Sequence, residues 1–326
     1  MIGKHEVVVK NRRINYRFTL YRNITILRGD SATGKTTLIE MIDSFVREGE
    51  ESGVQVVCDK TCAVLSGQNW EINLGTIHDS IVFIDEGSAF VRSADFARAI
   101  YDTDNYYVIA TRDSLFELPY SVKEIYGIRN KSGNKYQGTK RLYSEFYPIY
   151  DERMALQKPD TVIIEDSNSA YQFFSAVCKK EGIKCESAGG KSGLYRTIRD
   201  SKGDVVLAIA DGAAFGPELE RCLSLRKNKK AIFFLPESFE WLILKSGLID
   251  GSEIQDILNH PEDFIESRKY ISWERFFTAL LVRESKDTYL AYTKKKLAEG
   301  YLNKREQEKI LGIVRDGAGE DAFRWG

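Results

Sequence analysis

Residues 24–42 read ITILRGDSATGKTTLIEMI. An apolar run from Ile24 to Leu27 meets a loop from Gly29 to Gly34, and Leu38, Ile39, Met41 and Ile42 then recur at helical spacing. The stretch predicts a strand, a tight loop and a helix. Gly29, Asp30, Ser31, Ala32, Thr33, Gly34, Lys35 and Thr36 satisfy the pattern G-x-x-x-x-G-K-[ST] at each fixed position, in the strand-to-helix setting that the pattern requires. Glycines let successive backbone N–H groups turn into one concavity, and the new helix adds its positive end, so phosphate oxygens need no dedicated side chain each. The loop through Thr37 is therefore the expected phosphate cradle, with Lys35 reaching the β- and γ-phosphates and Thr36 ligating Mg²⁺.

A Mg²⁺–nucleotide site also needs a carboxylate at the end of a neighbouring strand. The segment DSIVFIDEGSAF supplies one: Asp85 follows the apolar run Ile81 to Ile84, the Walker B arrangement. Glu86 comes next, where a carboxylate can orient and deprotonate an attacking water. The chain thus resembles P-loop nucleoside triphosphatases of the Asp-Glu type. The resemblance implies ATP or GTP with Mg²⁺, Thr36 and Asp85 as metal ligands, and Lys35 and Glu86 as catalytic groups. A further buried strand, NYYVIATRD, ends in Thr111, a candidate for sensing the γ-phosphate. Leu65-Ser66-Gly67-Gln68 matches the letters of the ABC-ATPase signature, but it stands too close to Lys35 for the helical insertion that normally carries it.

With 326 residues, about two domains are expected, and 43% apolar residues suffice for ordinary cores. The 47 basic and 48 acidic residues nearly cancel, so contact with nucleic acid or anionic membrane would have to come from a local patch. The first residues carry charge where a signal peptide has an apolar core, and no run approaches a membrane span, so a cytoplasmic location and no membrane contact are expected. Five cysteines at scattered positions read as reduced thiols; Cys58 and Cys62 form a lone C-x-x-x-C without nearby histidine. The three histidines make no acid–base constellation.

Alternation over residues 5–28 predicts a hairpin turning near Asn11 and leading into the loop strand. GVQVVCDKTCAVLSG reads as one extended segment, and SADFARAIYD as a helix. Strands alternating with helices predict an α/β fold with a parallel P-loop sheet over residues 1–155. Two extended arms around a Gly, Ser and Asn-rich turn predict a β-hairpin insertion near 124–147. A polar, Pro-containing segment at 151–161 marks a boundary, beyond which a fresh α/β rhythm runs over 159–248. A small helical region is expected over 249–326, with Ser272 capping one helix and the lysines at 294–296 on a solvated helix face.

The second rhythm carries its own acids. TVIIED ends in Glu165 and Asp166, AGGKSG is a Gly-rich loop, and VVLAIADGA supplies Asp211. This half resembles the Toprim domain of topoisomerases, primases and the overcoming-lysogenisation-defect nucleases, in which a glutamate and a D-x-D hold a divalent metal. The order, ATPase then Toprim, matches the last group. The resemblance implies a Rossmann-like α/β domain with Glu165 and Asp211 as catalytic metal ligands for Mg²⁺ or Mn²⁺. Two departures stand out: Glu165-Asp166-Ser167-Asn168-Ser169 replaces E-G-x-x-D, and Ala213 stands where the family has its second acid. Asp166, Glu218 and Glu240 are the acids that could compensate.

Between Gly127 and Leu142, Arg129, Lys131, Lys135, Lys140 and Arg141 occur with no acid and with Tyr136 among them, a pattern suited to phosphates of DNA or RNA or equally to a solvated hairpin. Three functions remain open: an ATPase gating a nucleic-acid-binding or degenerate nuclease domain, a non-catalytic nucleotide switch for a protein partner, and a small-molecule kinase. Oligomeric state is open, a homodimer being one expectation.

Overall fold

The computed structural model describes residues 1–30, 33–131, 142–150 and 158–318. The chain divides into two compact units, Met1–Asp151 with Pro261–Ile271, and Glu152–His260 with Ser272–Gly326.

The first unit runs β1 (His5–Lys10), β2 (Ile14–Leu20), β3 (Ile24–Leu27), α1 (Lys35–Glu48), β4 (Gln55–Val57), β5 (Thr61–Val64), α2 (Trp70–Leu74), β6 (Ser80–Ile84), α3 (Ala94–Tyr101), β7 (Tyr106–Ala110), β8 (Ile125–Lys131) and β9 (Leu142–Pro148). Among the described residues nine strands form one sheet, in the order β4-β1-β2-β9-β8-β3-β7-β6-β5. Strands β8, β3, β7, β6 and β5 run parallel. The pairs β1–β2, β1–β4 and β8–β9 are antiparallel. The expected parallel sheet is therefore a mixed one. Its parallel half carries the Gly29–Gly34 loop, and hairpins build the other half.

Burial explains the division. Every residue of β3, β6 and β7 is buried, as continuous apolar runs in a sheet covered on both faces must be. Strand β1 instead alternates buried with more exposed positions. The hairpin expected near 124–147 is no appendage: β8 pairs with β3 and β9 with β2, so its two arms join the halves of the sheet. Its tip, including Lys135, Tyr136, Lys140 and Arg141, lies outside the described residues.

The segment read as one extended stretch forms two strands, β4 beside β1 and β5 beside β6, at opposite ends of the strand order. Four Cα steps from Val57 to Thr61 span no more than ~14 Å, so the sheet curls until those ends approach each other. Helix α1 sits within the curl. Its Leu38, Ile39, Met41 and Ile42 share one core with Val7, Phe18, Phe83 and Val108.

The segment Pro261–Ile271, expected in a third region, belongs to this unit. Gly3 N donates to Glu262 O at 2.8 Å, Ser267 N to Met1 O at 3.0 Å, and Asn23 Nδ2 to Ile271 O at 3.0 Å.

The second unit contains β10 (Thr161–Ile164), α4 (Ser169–Lys180), β11 (Lys184–Ser187), α5 (Lys191–Asp200), β12 (Val205–Ile209), α6 (Gly216–Ser224), β13 (Lys230–Phe234), α7 (Phe239–Lys245), α8 (Ser252–Asn259), α9 (Trp273–Ser285) and α10 (Lys304–Ala318). Its sheet is parallel throughout, in the order β11-β10-β12-β13. Ser272 occupies the position before α9 but makes no side-chain cap. The chain over residues 289–300, which carries the lysines expected on a charged helix, is not helical from Tyr289 to Ala298: Leu290, Tyr292 and Leu297 are buried, at spacings that one helix face cannot serve together with the lysines between them. No described helix is long and apolar enough to cross a membrane, and all five cysteines are free thiols.

Candidate functional site

Two sets of polar groups stand at the carboxyl ends of the two sheets. In the first unit the loop leaves β3 through Gly29 at φ 135° and enters α1 through Gly34 at φ 94°. Both are left-handed values that favour glycine. The Tyr16 hydroxyl donates to Gly34 O at 3.0 Å, a support from β2 that local sequence reading does not reveal. Ser31 and Ala32 lie outside the described residues.

Lys35 is only 4% exposed. Its Nζ donates to Gly29 O at 2.7 Å, Asp30 O at 3.0 Å and Thr33 Oγ1 at 3.2 Å. Three acceptors match three ammonium donors, so the positive charge is held over the centre of the loop. Thr33 Oγ1 also donates to Asp30 O at 3.1 Å. One residue on, Thr36 Oγ1 donates to Asp85 Oδ1 at 3.3 Å, and the same Asp85 oxygen accepts from Glu86 N at 2.8 Å. Strand β7 lies between β3 and β6, so these two residues meet only through the fold. A hydroxyl and a carboxylate are hard oxygen donors, and Mg²⁺ commonly takes one or two such protein ligands and completes its shell with phosphates and water. The residues present fit that ion. Thr37 follows inside the first turn of α1.

Glu86 forms an ion pair with Arg112, which follows the candidate sensor Thr111. Thr111 itself is 3% exposed, and its hydroxyl bonds the backbone of Asp113, accepting at 3.0 Å and donating at 3.3 Å. Its N–H donates to Leu27 O at 3.0 Å, tying the ends of β7 and β3 together. The side chain thus serves its own turn. Leu65 to Gln68 follows β5, as the sequence spacing implied for a segment outside any helical insertion.

The basic arm is partly neutralised. Glu145 of β9 pairs with Arg129 at 2.9 Å and with Lys131, and those two partners, the Lys131 hydrogen bond foremost, hold its carboxyl below the usual range.

In the second unit, β10 and β12 are adjacent and in register, Ile164 opposite Ile209. Glu165 and Asp211 follow them directly. Glu165 Oε2 accepts from Asp211 N at 2.9 Å, and Asp211 Oδ1 accepts from Phe239 N, at the start of α7, at 3.2 Å. Asp166 Oδ1 accepts from Asn168 N at 3.2 Å and Tyr171 N at 3.1 Å, which commits that carboxylate to the start of α4. Ala213 is 3% exposed. Glu218 is buried with Oε2 unpartnered.

Burial, with smaller contributions from the neighbouring acids, pushes the Glu165 carboxyl up to about 7. Burial and then the carboxylates of Glu274, Glu165 and Glu240 push Asp211 well above its ordinary value, while Lys294 opposes. Lys294 was expected on a solvated helix face. It is instead half-buried on irregular chain and ion-paired with Glu274.

With the Lys294 charge acting on Asp211, this donor set does not fit a divalent ion. Glu165 and Asp211 each give an oxygen to a backbone N–H, Asp166 gives one to two such groups, and the cavity that these three acids line together with apolar groups such as Ile164, Phe174 and Phe239 is about 10 Å³. That is room for about one water, whereas Mg²⁺ keeps several. Among the described residues no three His, Cys, Asp or Glu side chains are grouped as a metal ion needs. Comparison with protein-family models, with curated proteins and with solved structures found no match.

Proposed function

We propose that the first unit binds ATP or GTP with Mg²⁺ and hydrolyses it, and that the second unit is the part that responds. The observation that carries this reading is the hydrogen bond of Thr36 to Asp85, which joins the end of the Gly29–Gly34 loop to an acid two strands away. Mg²⁺, when bound with the nucleotide, neutralises charge on the phosphates. The loop's backbone donors and the positive end of α1 orient those phosphates. Lys35 exchanges the carbonyls of Gly29 and Asp30 for phosphate oxygens, Thr36 and Asp85 hold the ion, and Glu86 accepts the proton of the attacking water.

The Glu86–Arg112 ion pair favours a second reading, a nucleotide-dependent switch that turns over slowly because its base is engaged. Turnover separates the two. Lys35→Ala should abolish nucleotide binding in calorimetry, and Glu86→Gln should keep binding but lower turnover by two orders of magnitude or more. Arg112→Ala should raise turnover severalfold if the pair restrains the base, which supports the slow switch; measurable turnover that does not change supports the first reading, and no turnover in either protein supports a switch without hydrolysis. Unaltered affinity in Lys35→Ala would remove the site assignment altogether.

For the second unit, the parallel sheet with Glu165 and Asp211 at adjacent strand ends supports a Toprim-like domain whose metal-dependent cleavage has lapsed. Its partner is read as DNA or RNA. Stimulation of turnover by either would support that partner, and indifference to both would point to a protein partner.

A further inference from the structure

We propose that the ammonium of Lys294 is the resident cation of the second unit's carboxylate cluster, standing in for the divalent ion that a Toprim-like site would hold. The inference rests on the geometry of this unit and is independent of nucleotide hydrolysis in the other.

A chain of contacts links acids from four elements: Glu165, after β10, accepts from Asp211 N; Asp211, after β12, accepts from Phe239 N, next to Glu240 of α7; Glu240 accepts from the Tyr292 hydroxyl, two residues from Lys294; and Lys294 pairs with Glu274 of α9. Carboxylates gathered in this way repel unless a cation stands among them. Lys294 pairs directly with Glu274. Burial opposes its charge, but Glu240, Glu274 and Asp211 together outweigh burial and hold the ammonium protonated.

A lysine can serve as a fixed counter-ion only if its backbone is held, and this one is. Ser169 N donates to Lys294 O at 3.0 Å. Gln172 Nε2 donates to Lys295 O at 2.9 Å, and Gln172 Oε1 accepts from Leu297 N at 2.9 Å. On the other side, Tyr292 N donates to Ser285 Oγ at 2.9 Å, and the Tyr292 hydroxyl, in contact with Ser169 Oγ, donates to Glu240 Oε1 at 2.8 Å. The strap from Tyr292 to Leu297 is thereby fastened to α4, α7 and α9.

Glu240 supplies the independent observation. It is 1% exposed, and its second oxygen, Oε2, has no hydrogen-bond partner. A buried carboxylate oxygen without a donor needs a nearby positive charge, and Lys294 is the cation whose field reaches Glu240, Asp211 and Asp166 alike. A tethered ammonium gives no open coordination position, so the unit keeps its shape without metal and offers none to a phosphodiester.

The test is titration of the full chain with Mn²⁺, without nucleotide, following free Mn²⁺ by electron paramagnetic resonance and melting by circular dichroism. The wild type should show no uptake that Asp211→Asn abolishes. Lys294→Met should melt lower than wild type, gain an Mn²⁺ site at least tenfold tighter than any in the wild type, and be raised in melting by Mn²⁺. Asp211→Asn in that background should remove the gain, and Lys294→Arg should behave as wild type. A Lys294→Met variant unfolded without ion is scored in the same way, recovery of structure in Mn²⁺ supporting the proposal and absence of recovery overturning it. Wild-type uptake that Asp211→Asn abolishes, or a folded Lys294→Met variant with no new site, also overturns it.

Discussion

Gly34 shows how much one residue of the loop depends on a distant one. At φ 94° a side chain costs about 1–2 kcal/mol, and a Cβ there would stand 2.8 Å from the Tyr16 hydroxyl. Gly34→Ala should therefore lower the denaturation free energy of the first unit by about 1–3 kcal/mol and weaken nucleotide binding. Tyr16→Phe in that background should recover the steric part alone, because the backbone penalty remains. A double-mutant cycle measured by denaturant titration checks this, and strict additivity would show that the hydroxyl is not the obstacle. The strand, loop and helix around Gly34 were legible because their residues are contiguous. Tyr16, Arg112 and Lys294 were not, since each acts on a partner distant in the chain; for Arg112 that partner, Glu86, follows the adjacent strand β6.

Elements were read with more success than their arrangement. The alternation over residues 5–28 became β1 and β2, and the arms near 124–147 became β8 and β9. That β8 and β9 join two halves of a sheet depends on pairing with β3 and β2, which no local pattern encodes. Within the hairpin Gly127 lies opposite Tyr147, and a Cβ at Gly127 would stand 2.5 Å from the tyrosine ring. The ring also lies under the Arg129 guanidinium, 5.3 Å from its centre. Gly127→Ala should cost about 1–2 kcal/mol, because the ring must swing off its packed position, and Tyr147→Ala should relieve most of that strain. Equal effects of Gly127→Ala in both backgrounds would place the cost in the backbone. The irregular stretch from Tyr289 to Ala298 was misread for a related reason: its charges match a solvated helix, while its buried partners lie in α4, α7 and α9.

For the molecule as a whole, the two units should respond to pH in opposite directions. Glu165 and Asp211 have carboxyls raised in the folded second unit, Glu165 from 4.5 to about 7. The folded state therefore binds more protons than the unfolded one across that interval, so the stabilising contribution is complete below about 4.5 and is lost as pH rises through 7. The full shift corresponds to ~3 kcal/mol; residual solvent contact of these half-buried side chains reduces the expectation to ~1–2 kcal/mol. In the first unit the carboxyls of Asp59, Asp104 and Glu145 are lowered: His5 outweighs burial at Asp59, the Asp79 backbone N–H acts on Asp104, and Lys131 acts on Glu145. Their contribution is present at neutral pH and lost on acidification. Hydrogen exchange, corrected for the intrinsic exchange rate, checks both signs: the second unit is compared at pH 5 and pH 8, with Glu165→Gln as the control that flattens its response, and the first unit at pH 3 and pH 7. Sequence alone determined the strand, loop and helix of the G-x-x-x-x-G-K-[ST] stretch, the acid that follows β6, the α/β class and the acids ending the second unit's strands, because strand periodicity and turn chemistry are written in neighbouring residues. Tertiary structure alone decided that the first sheet is mixed and curls around α1, that Pro261–Ile271 returns to the first unit, and that Lys294 lies on irregular chain ion-paired with Glu274 of α9. Those outcomes follow from strand pairing and side-chain contacts between residues distant in the chain, which are not expressed at the scale of a sequence window.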